Sequence, residues 1–330
     1  MKPPLLAAPH YRTPAWLPGG HAQTIWPLLI KGPLPRYRRE RWDTPDGDFI
    51  DLDWIAGAAD APCVVLFHGL EGSSRSHYAR RLMHAVAHRG WHGVVVNFRG
   101  CSGEPNRLPR AYHSGDSAEI DWILRRLQAS GYPALFAAGV SLGGNALLKW
   151  LAEQGSQASG IVSAAAAVSA PLDLAAANTA LSSGFNRVYA RHFLRTLIPA
   201  AMAKERRFPG RIDMRRARAA GSLRDFDDAV TAPLHGFLGA DDYYAKSSAG
   251  PLLGAVRAPT LLLHAANDPF LPASALPRRE RLPVAVLLEV HAGGGHVGFV
   301  DGVPPGRIDW LPQRLLAHFY AYMPASIGMR

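Results

Sequence analysis

A serine, an aspartate and a histidine, far apart in the chain but each placed just past a predicted strand, have the types and order needed to make an alcohol attack an acyl carbon. Ser141 stands in Gly139-Val140-Ser141-Leu142-Gly143, which fits G-x-S-x-G. A serine hydroxyl is a weak nucleophile until a base removes its proton, and that base must itself be oriented. Asp268 follows the apolar run Thr260–Ala266, in Asn267-Asp268-Pro269. His296 follows the next run, in Gly293-Gly294-Gly295-His296-Val297-Gly298, where glycines let a loop fold tightly over a sheet. The order serine, acid, histidine is the one a strand–turn–helix nucleophile predicts. Asp173 also follows a strand and is the alternative acid, whereas Asp301 is so near His296 in sequence that it reads as a local cap or pair. His264 and His291, in or at the end of strands, read as satisfied core histidines.

Attack on a carbonyl leaves negative charge on its oxygen, so two backbone N–H donors should face it. Leu142, the residue after the serine, supplies one, and Leu70 in His68-Gly69-Leu70 supplies the other, with Gly69 making the turn. His68 reads as a hydrogen-bonding residue of that loop. This chemistry requires no cofactor and no metal. His84 and His88 are four apart on a predicted helix, but without H-E-x-x-H they read as a solvated face. His113-Ser114-Gly115-Asp116 reads as a helix start, with Ser114 or Asp116 as N-cap.

These side chains need a scaffold, and Leu135–Gln154 shows its kind. Its first half is small and apolar, as in a strand buried on both faces, and Leu147, Leu148 and Leu151 follow at helical spacing. A strand that turns at once into a helix cramps the backbone at its apex, which is why Gly139 and Gly143 flank the serine. Arg38–Asp43 and Phe49–Ile55 alternate as antiparallel strands around Thr44-Pro45-Asp46-Gly47, and Cys63–Phe67, Gly93–Phe98 and Ile161–Ser169 are further strands. Helices are predicted over 76–89 and 115–127, so the alternation implies a doubly wound, mostly parallel sheet. From Asp173 to about Arg257 the pattern is helical, clearest over Asn186–Ile198. Strands resume at Thr260–Ala266 and Val284–Val290, and Asp309–Tyr322 closes the chain as an amphipathic helix. This predicts an irregular arm over 1–37, a core over 38–171 and 258–330, and a helical lid over 172–257 above the strands' carboxyl ends, where open α/β sheets bind ligands.

Composition narrows the classes. With 330 residues, 48% hydrophobic and 19% charged, the chain can bury a large core and is not of disordered type. The N-terminal segment is broken by prolines and is no convincing signal peptide, and the uncharged run Gln154–Leu172 is too polar to span a membrane. Cys63 and Cys101 read as buried thiols, which favours a reducing cytoplasm. The net charge of +10 comes without any nucleic-acid motif, so no nucleic-acid partner is expected. The basic stretch 204–224 reads as a solvated lid surface and leaves peripheral contact with membranes or anionic substrates open.

Taken together, PAWLPGGHAQTIWP, HGLEGSSRSHYARRL, VVVNFRGCSG, AYHSGD, GVSLGGNALLKW, LHGF…DDYY, NDPFLP and GGGHVGF resemble the α/β-hydrolase fold, and within it the YheT-like branch of esterases and lipases. The stretches run from near residue 14 to near residue 302. The resemblance implies an eight-stranded sheet, Ser141 as nucleophile, Asp268 as acid and His296 as base. It also implies a small-molecule partner, a carboxylic ester of short-chain or monoacylglycerol type. Acyl transfer or aminopeptidase chemistry on the same three residues, or a ligand-binding homologue without catalysis, are the alternatives. Oligomeric state is not legible.

Overall fold

The structure is a computed structural model that describes residues 10–30 and 32–324. Residues 1–9 and Lys31 of the expected arm, and residues 325–330 of the expected core, lie outside the described residues. Eight strands form one sheet: β1 (Arg38–Asp43), β2 (Phe49–Ile55), β3 (Cys63–Phe67), β4 (His92–Asn97), β5 (Leu135–Val140), β6 (Ala164–Val168), β7 (Thr260–Ala265) and β8 (Val286–His291). Their spatial order is β1-β2-β4-β3-β5-β6-β7-β8, antiparallel at β1–β2 and β2–β4 and parallel from β4 onwards.

The central strands are apolar throughout because both faces are covered. Val65, Phe67, Val94, Val96 and Leu262 point into one core, and Val64, Leu66, Val95, Leu261 and Leu263 into the other. A short arm helix, α1 (Gly20–Ile25), comes before β1. α2 (His77–His88) and the last helix cover one face of the sheet, and α3 (Ser117–Ala129) and α4 (Leu142–Gln154) cover the other. Between β6 and β7 come α5 (Leu174–Leu181), α6 (Arg187–Arg207), α7 (Met214–Ala219), α8 (Leu223–Phe226), a π-helical turn over Asp227–Thr231, α9 (Ala232–His235) and α10 (Ala240–Ser247). They carry a small core of their own around Leu181, Leu194, Phe226 and Val230. α11 (Trp310–Ala321) is the last helix among the described residues.

Three local expectations differ from what is found. The arm is not irregular throughout, since α1 forms within it. The helix that is clearest in sequence over Asn186–Ile198 runs on through Pro199 to Arg207. Proline removes one backbone donor and costs a helix about 3 kcal/mol, but Tyr189, Ala190, Leu194 and Ala201 are buried along α6 on both sides of it, and this packing holds the helix together. At α3, Asp116 occupies the N-cap position without capping. Its carboxylate takes Arg110 at 2.6 Å instead, and Ser114 is buried against Asn145.

The strand order reverses between β3 and β5, since β4 lies on one side of β3 and β5 on the other. Phe67 pairs with Gly139 in register, so the ends of these two strands are level, and a crevice opens there.

Candidate active site

Ser141 sits at the apex between β5 and α4 with φ 51° and ψ −120°, a conformation that L-residues rarely adopt. The turn survives because its neighbours are bare. A Cβ on Gly139 would come 2.5 Å from the Gly143 carbonyl oxygen, and one on Gly143 would come 2.5 Å from the carbonyl oxygens of both Phe67 and His68. The tight turn that raises the hydroxyl thus also presses α4 against the loop after β3.

His296 comes from the loop between β8 and α11, and Asp268 from the turn after β7. His296 Nε2 lies 3.0 Å from Ser141 Oγ, and His296 Nδ1 lies 2.8 Å from Asp268 Oδ2. In the neutral ring this arrangement makes Nδ1–H the donor to the carboxylate and leaves Nε2 to accept from the serine hydroxyl. The Asp268 side chain is fully buried, and its other oxygen accepts the Phe270 N–H at 2.8 Å. Phe270 also lies flat on the imidazole, with ring centres 4.1 Å apart and planes 24° from parallel.

The Ser141 N–H is spent on Val168 O at 2.8 Å, and the Gly69 N–H on the Tyr78 hydroxyl at 2.9 Å. The amides of Leu70 and Leu142, by contrast, find no acceptor among the described residues, and both residues line the same cavity as Ser141 and His296. Buried N–H groups are normally paired, so two unspent donors beside a serine hydroxyl are a chemical feature. His68 is fully buried as a structural imidazole: Nδ1–H donates to Gly69 O and Nε2 accepts the Phe98 N–H. Burial pushes its pKa down to about 4, so the ring is neutral and is spent on shaping the loop.

The competing acids and histidines lie elsewhere. Asp173 caps α5, accepting the Ala176 N–H at 2.9 Å, and Asp301 faces Arg307 at 3.6 Å. His84 contacts Pro33 O on the surface of α2. His291 packs among Tyr11, Phe299 and Trp310. His264 departs from the expectation of a satisfied core histidine: it is fully buried, yet neither ring nitrogen has a hydrogen-bond partner among the described residues, and burial holds its pKa down to about 4.

The cavity measures about 220 Å³ and runs from Ser141 beneath the helices that follow β6. Leu174, Leu181, Phe193, Leu197, Phe226 and Val230 give it an apolar wall. Its polar lining was not foreseen. Asp227 is buried there between the hydroxyls of Thr231 (2.7 Å) and Tyr244 (2.8 Å), and desolvation raises its pKa to about 6. Lys204 reaches back to the carbonyls of Leu108 and Arg110, and burial lowers its pKa. His113, expected only to begin a helix, lines the cavity with its pKa pushed down to about 4 by burial. Also unforeseen is Thr24 in the arm, whose Oγ1 accepts the His296 backbone N–H at 2.9 Å. The only sequence signal for it is a Gly-, Gln- and Thr-containing stretch, PGGHAQT, with no helical or strand period.

Sheet order, elbow and the convergence of Ser141, His296 and Asp268 at one sheet edge define a class, and residues 62–303 match the family described as the α/β hydrolase fold. The chain belongs to the α/β-hydrolase family. It is 42% identical over 315 residues to the Escherichia coli (strain K12) protein named "Putative esterase YheT", covering 93% of this chain and 92% of that one. It is 32% identical over 323 residues to human "Phospholipase ABHD3", covering 93% of this chain and 78% of that protein. Among solved structures, a bacterial membrane phospholipase A superposes with a TM-score of 0.57 at 17% identity, covering 92% of each chain, and shares the fold. Among the described residues no helix is long and apolar enough to cross a membrane.

Proposed function

We propose that the chain is a serine hydrolase of carboxylic esters, with Ser141 as nucleophile, His296 as general base and then acid, and Asp268 orienting the imidazole. That it is an ester-bond hydrolase rests on its family and on relatives named esterase, phospholipase and monoacylglycerol lipase. The assignment of roles rests on one observation, the unbroken hydrogen-bonded line from Ser141 Oγ through His296 to Asp268 facing a cavity.

In this mechanism Ser141 Oγ attacks the ester carbonyl as its proton passes to His296 Nε2, and Asp268 stabilises the resulting imidazolium. The carbonyl oxygen becomes an oxyanion, and the Leu70 and Leu142 amides donate to it. Such donors each contribute about 3 kcal/mol in related hydrolases. The C–O bond to the alcohol then breaks, with His296 returning its proton to the departing oxygen. Water, deprotonated by the same imidazole, cleaves the acyl-serine and restores the enzyme. The helices between β6 and β7 act as a lid, and their apolar wall takes the acyl chain of a short-chain or monoacylglycerol-type ester.

The test is hydrolysis of p-nitrophenyl esters of increasing acyl length and of a monoacylglycerol, together with labelling by a fluorophosphonate probe. The expected result is one labelled serine, lost in Ser141→Ala, and an optimum at acyl lengths that the cavity holds. Turnover without labelling, or labelling that persists in Ser141→Ala, overturns the assignment.

A further inference from the structure

The N-terminal arm precedes residues 62–303, which match the α/β hydrolase family, and its α1 is wedged between the turn that carries Asp268 and the loop that carries His296. On one side, a Cβ on Gly20 would overlap Asn267 O. On the other, a Cβ on Gly295 would come 2.5 Å from Gly20 O and 2.8 Å from Thr24 N, and one on Gly298 would overlap Gln23 O. Backbone meets backbone on both sides, so glycine is required in the arm and in the histidine loop alike.

Within this contact Thr24 bonds in both directions. Its hydroxyl donates to Gly20 O at 2.7 Å, which aims the oxygen's lone pair at the His296 N–H 2.9 Å away. Gln23 beside it is fully buried and anchors the same loop: Oε1 accepts the Val300 N–H at 3.0 Å and Nε2 donates to Leu17 O at 3.3 Å. Asn267 Oδ1 completes the clamp by accepting the Gly295 N–H at 3.0 Å. Further along the histidine loop, Val297 and Phe299 have positive φ, 62° and 41°, which are uncommon for side chains of this kind and must be imposed by surrounding contacts.

We propose that Thr24 is a positioning residue for His296: it sets the height of the imidazole above Ser141 through the His296 backbone N–H, so that the arm is part of the catalytic apparatus. The inference rests on the proposed function, because it presumes that His296 is the base. A misplacement of about 1 Å at a reacting group can cost on the order of 10²-fold in rate, and an unpaired, part-buried N–H gives the loop reason to move.

The experiment compares wild type with Thr24→Val, which keeps the shape and removes the acceptor, and with Thr24→Ser, which keeps the acceptor. Each is measured on p-nitrophenyl butyrate, with kcat expressed per fluorophosphonate-titrated site and thermal unfolding followed in parallel. Thr24→Val is expected to lose about 10–100-fold in kcat per titrated site with KM within about twofold, and Thr24→Ser to recover most of it. A residue that merely held the fold together would lower the number of titratable sites and the melting temperature and leave turnover per site unchanged. That outcome, or a Thr24→Val kcat within about twofold of wild type, overturns the proposal. If Thr24→Val fails to fold, Thr24→Cys, with a poorer acceptor, takes its place and is judged by the same readouts. Loss of labelling in Ser141→Ala with unchanged turnover in Thr24→Val rejects this inference alone, whereas persistence of activity in Ser141→Ala rejects the reading beneath it.

Discussion

Ser141 and His296 meet at 3.0 Å, but they are brought there by opposite means. The serine is placed by its own surroundings in sequence: the strand before it, the helix after it, and glycines two positions to either side whose missing Cβ atoms let α4 close on β3. The histidine stands in a loop without regular structure, and its fastenings come from far away in the chain: Asn267, Ser169, and above all Gln23 and Thr24, more than 270 residues before it. The proposed nucleophile, held by local strain, is carried by a short motif. The proposed base, held by remote contacts, is not.

The sharpest ways to break this comparison act on the groups themselves. Ser141→Ala is expected to lower kcat by about 10⁶-fold, and Asp268→Asn, which offers the imidazole the wrong partner for its tautomer, by about 10⁴-fold. Both are read from ester hydrolysis by purified protein, and a loss under 10²-fold in the first removes Ser141 from its role. The next effect tests local placement. Gly143→Ala puts a methyl group 2.5 Å from the carbonyl oxygens of Phe67 and His68, so the Leu70 amide must shift. The expected loss in kcat is ~10²–10³-fold, as for removal of one oxyanion donor. The change at Thr24 is expected to be smaller than this, because the remote clamp has other members. Were it to exceed the Gly143 effect, the ranking of local over remote placement would be reversed.

The smallest effects concern stability and pH. His68, His113, His264 and His318 are all held neutral by burial, with pKa values near 4. The unfolded chain binds protons at these groups below the ordinary histidine value of about 6.5, and the folded chain does not until about pH 4. Their contribution to stability is therefore whole above about pH 6.5 and is lost as pH falls towards 4. Asp227 has the opposite sign. Its pKa is raised to about 6, so the folded state favours the proton, and stability declines as pH rises from near 4 to 6. Glu119, raised above the usual carboxylate range by burial, has the same sign as Asp227; four histidines outweigh these two carboxyls, and the melting temperature is expected to fall on acidification below pH 6.5. His264→Leu removes an imidazole with no hydrogen-bond partner among the described residues and is expected to raise the melting temperature by roughly a few degrees, more at pH 5 than at pH 8. A larger gain at pH 8 would show that His264 is paired in solution.

Much of the sheet was legible because its strands are apolar on both faces, and runs such as Cys63–Phe67 and Leu135–Val140 have no other use. The end of α6 was not, since Pro199 is a local stop signal that only tertiary packing overrides. Asp116 looked like a cap because its type and place are those of a cap, but Arg110 competes for the same carboxylate from outside the helix. Of the candidate site, Ser141, Asp268 and His296, which the structure brings together, could be named from type, order and flanking glycines. Thr24, Phe270 and Asp227 could not, because their relation to the site is a contact across the fold and leaves no periodic trace in the chain.

By itself the sequence determined the alternation of strands and helices, the strained turn at Ser141 and the chain order of the serine, aspartate and histidine that meet at the sheet edge. Each of these follows from steric and hydrophobic preferences acting over a few residues. Tertiary structure alone decided how near the imidazole comes to the hydroxyl, what lines the cavity beside them, and that a helix from the first thirty residues holds the histidine's loop. Those are distances between segments remote in the chain, and only the packing of the whole fold gives them values.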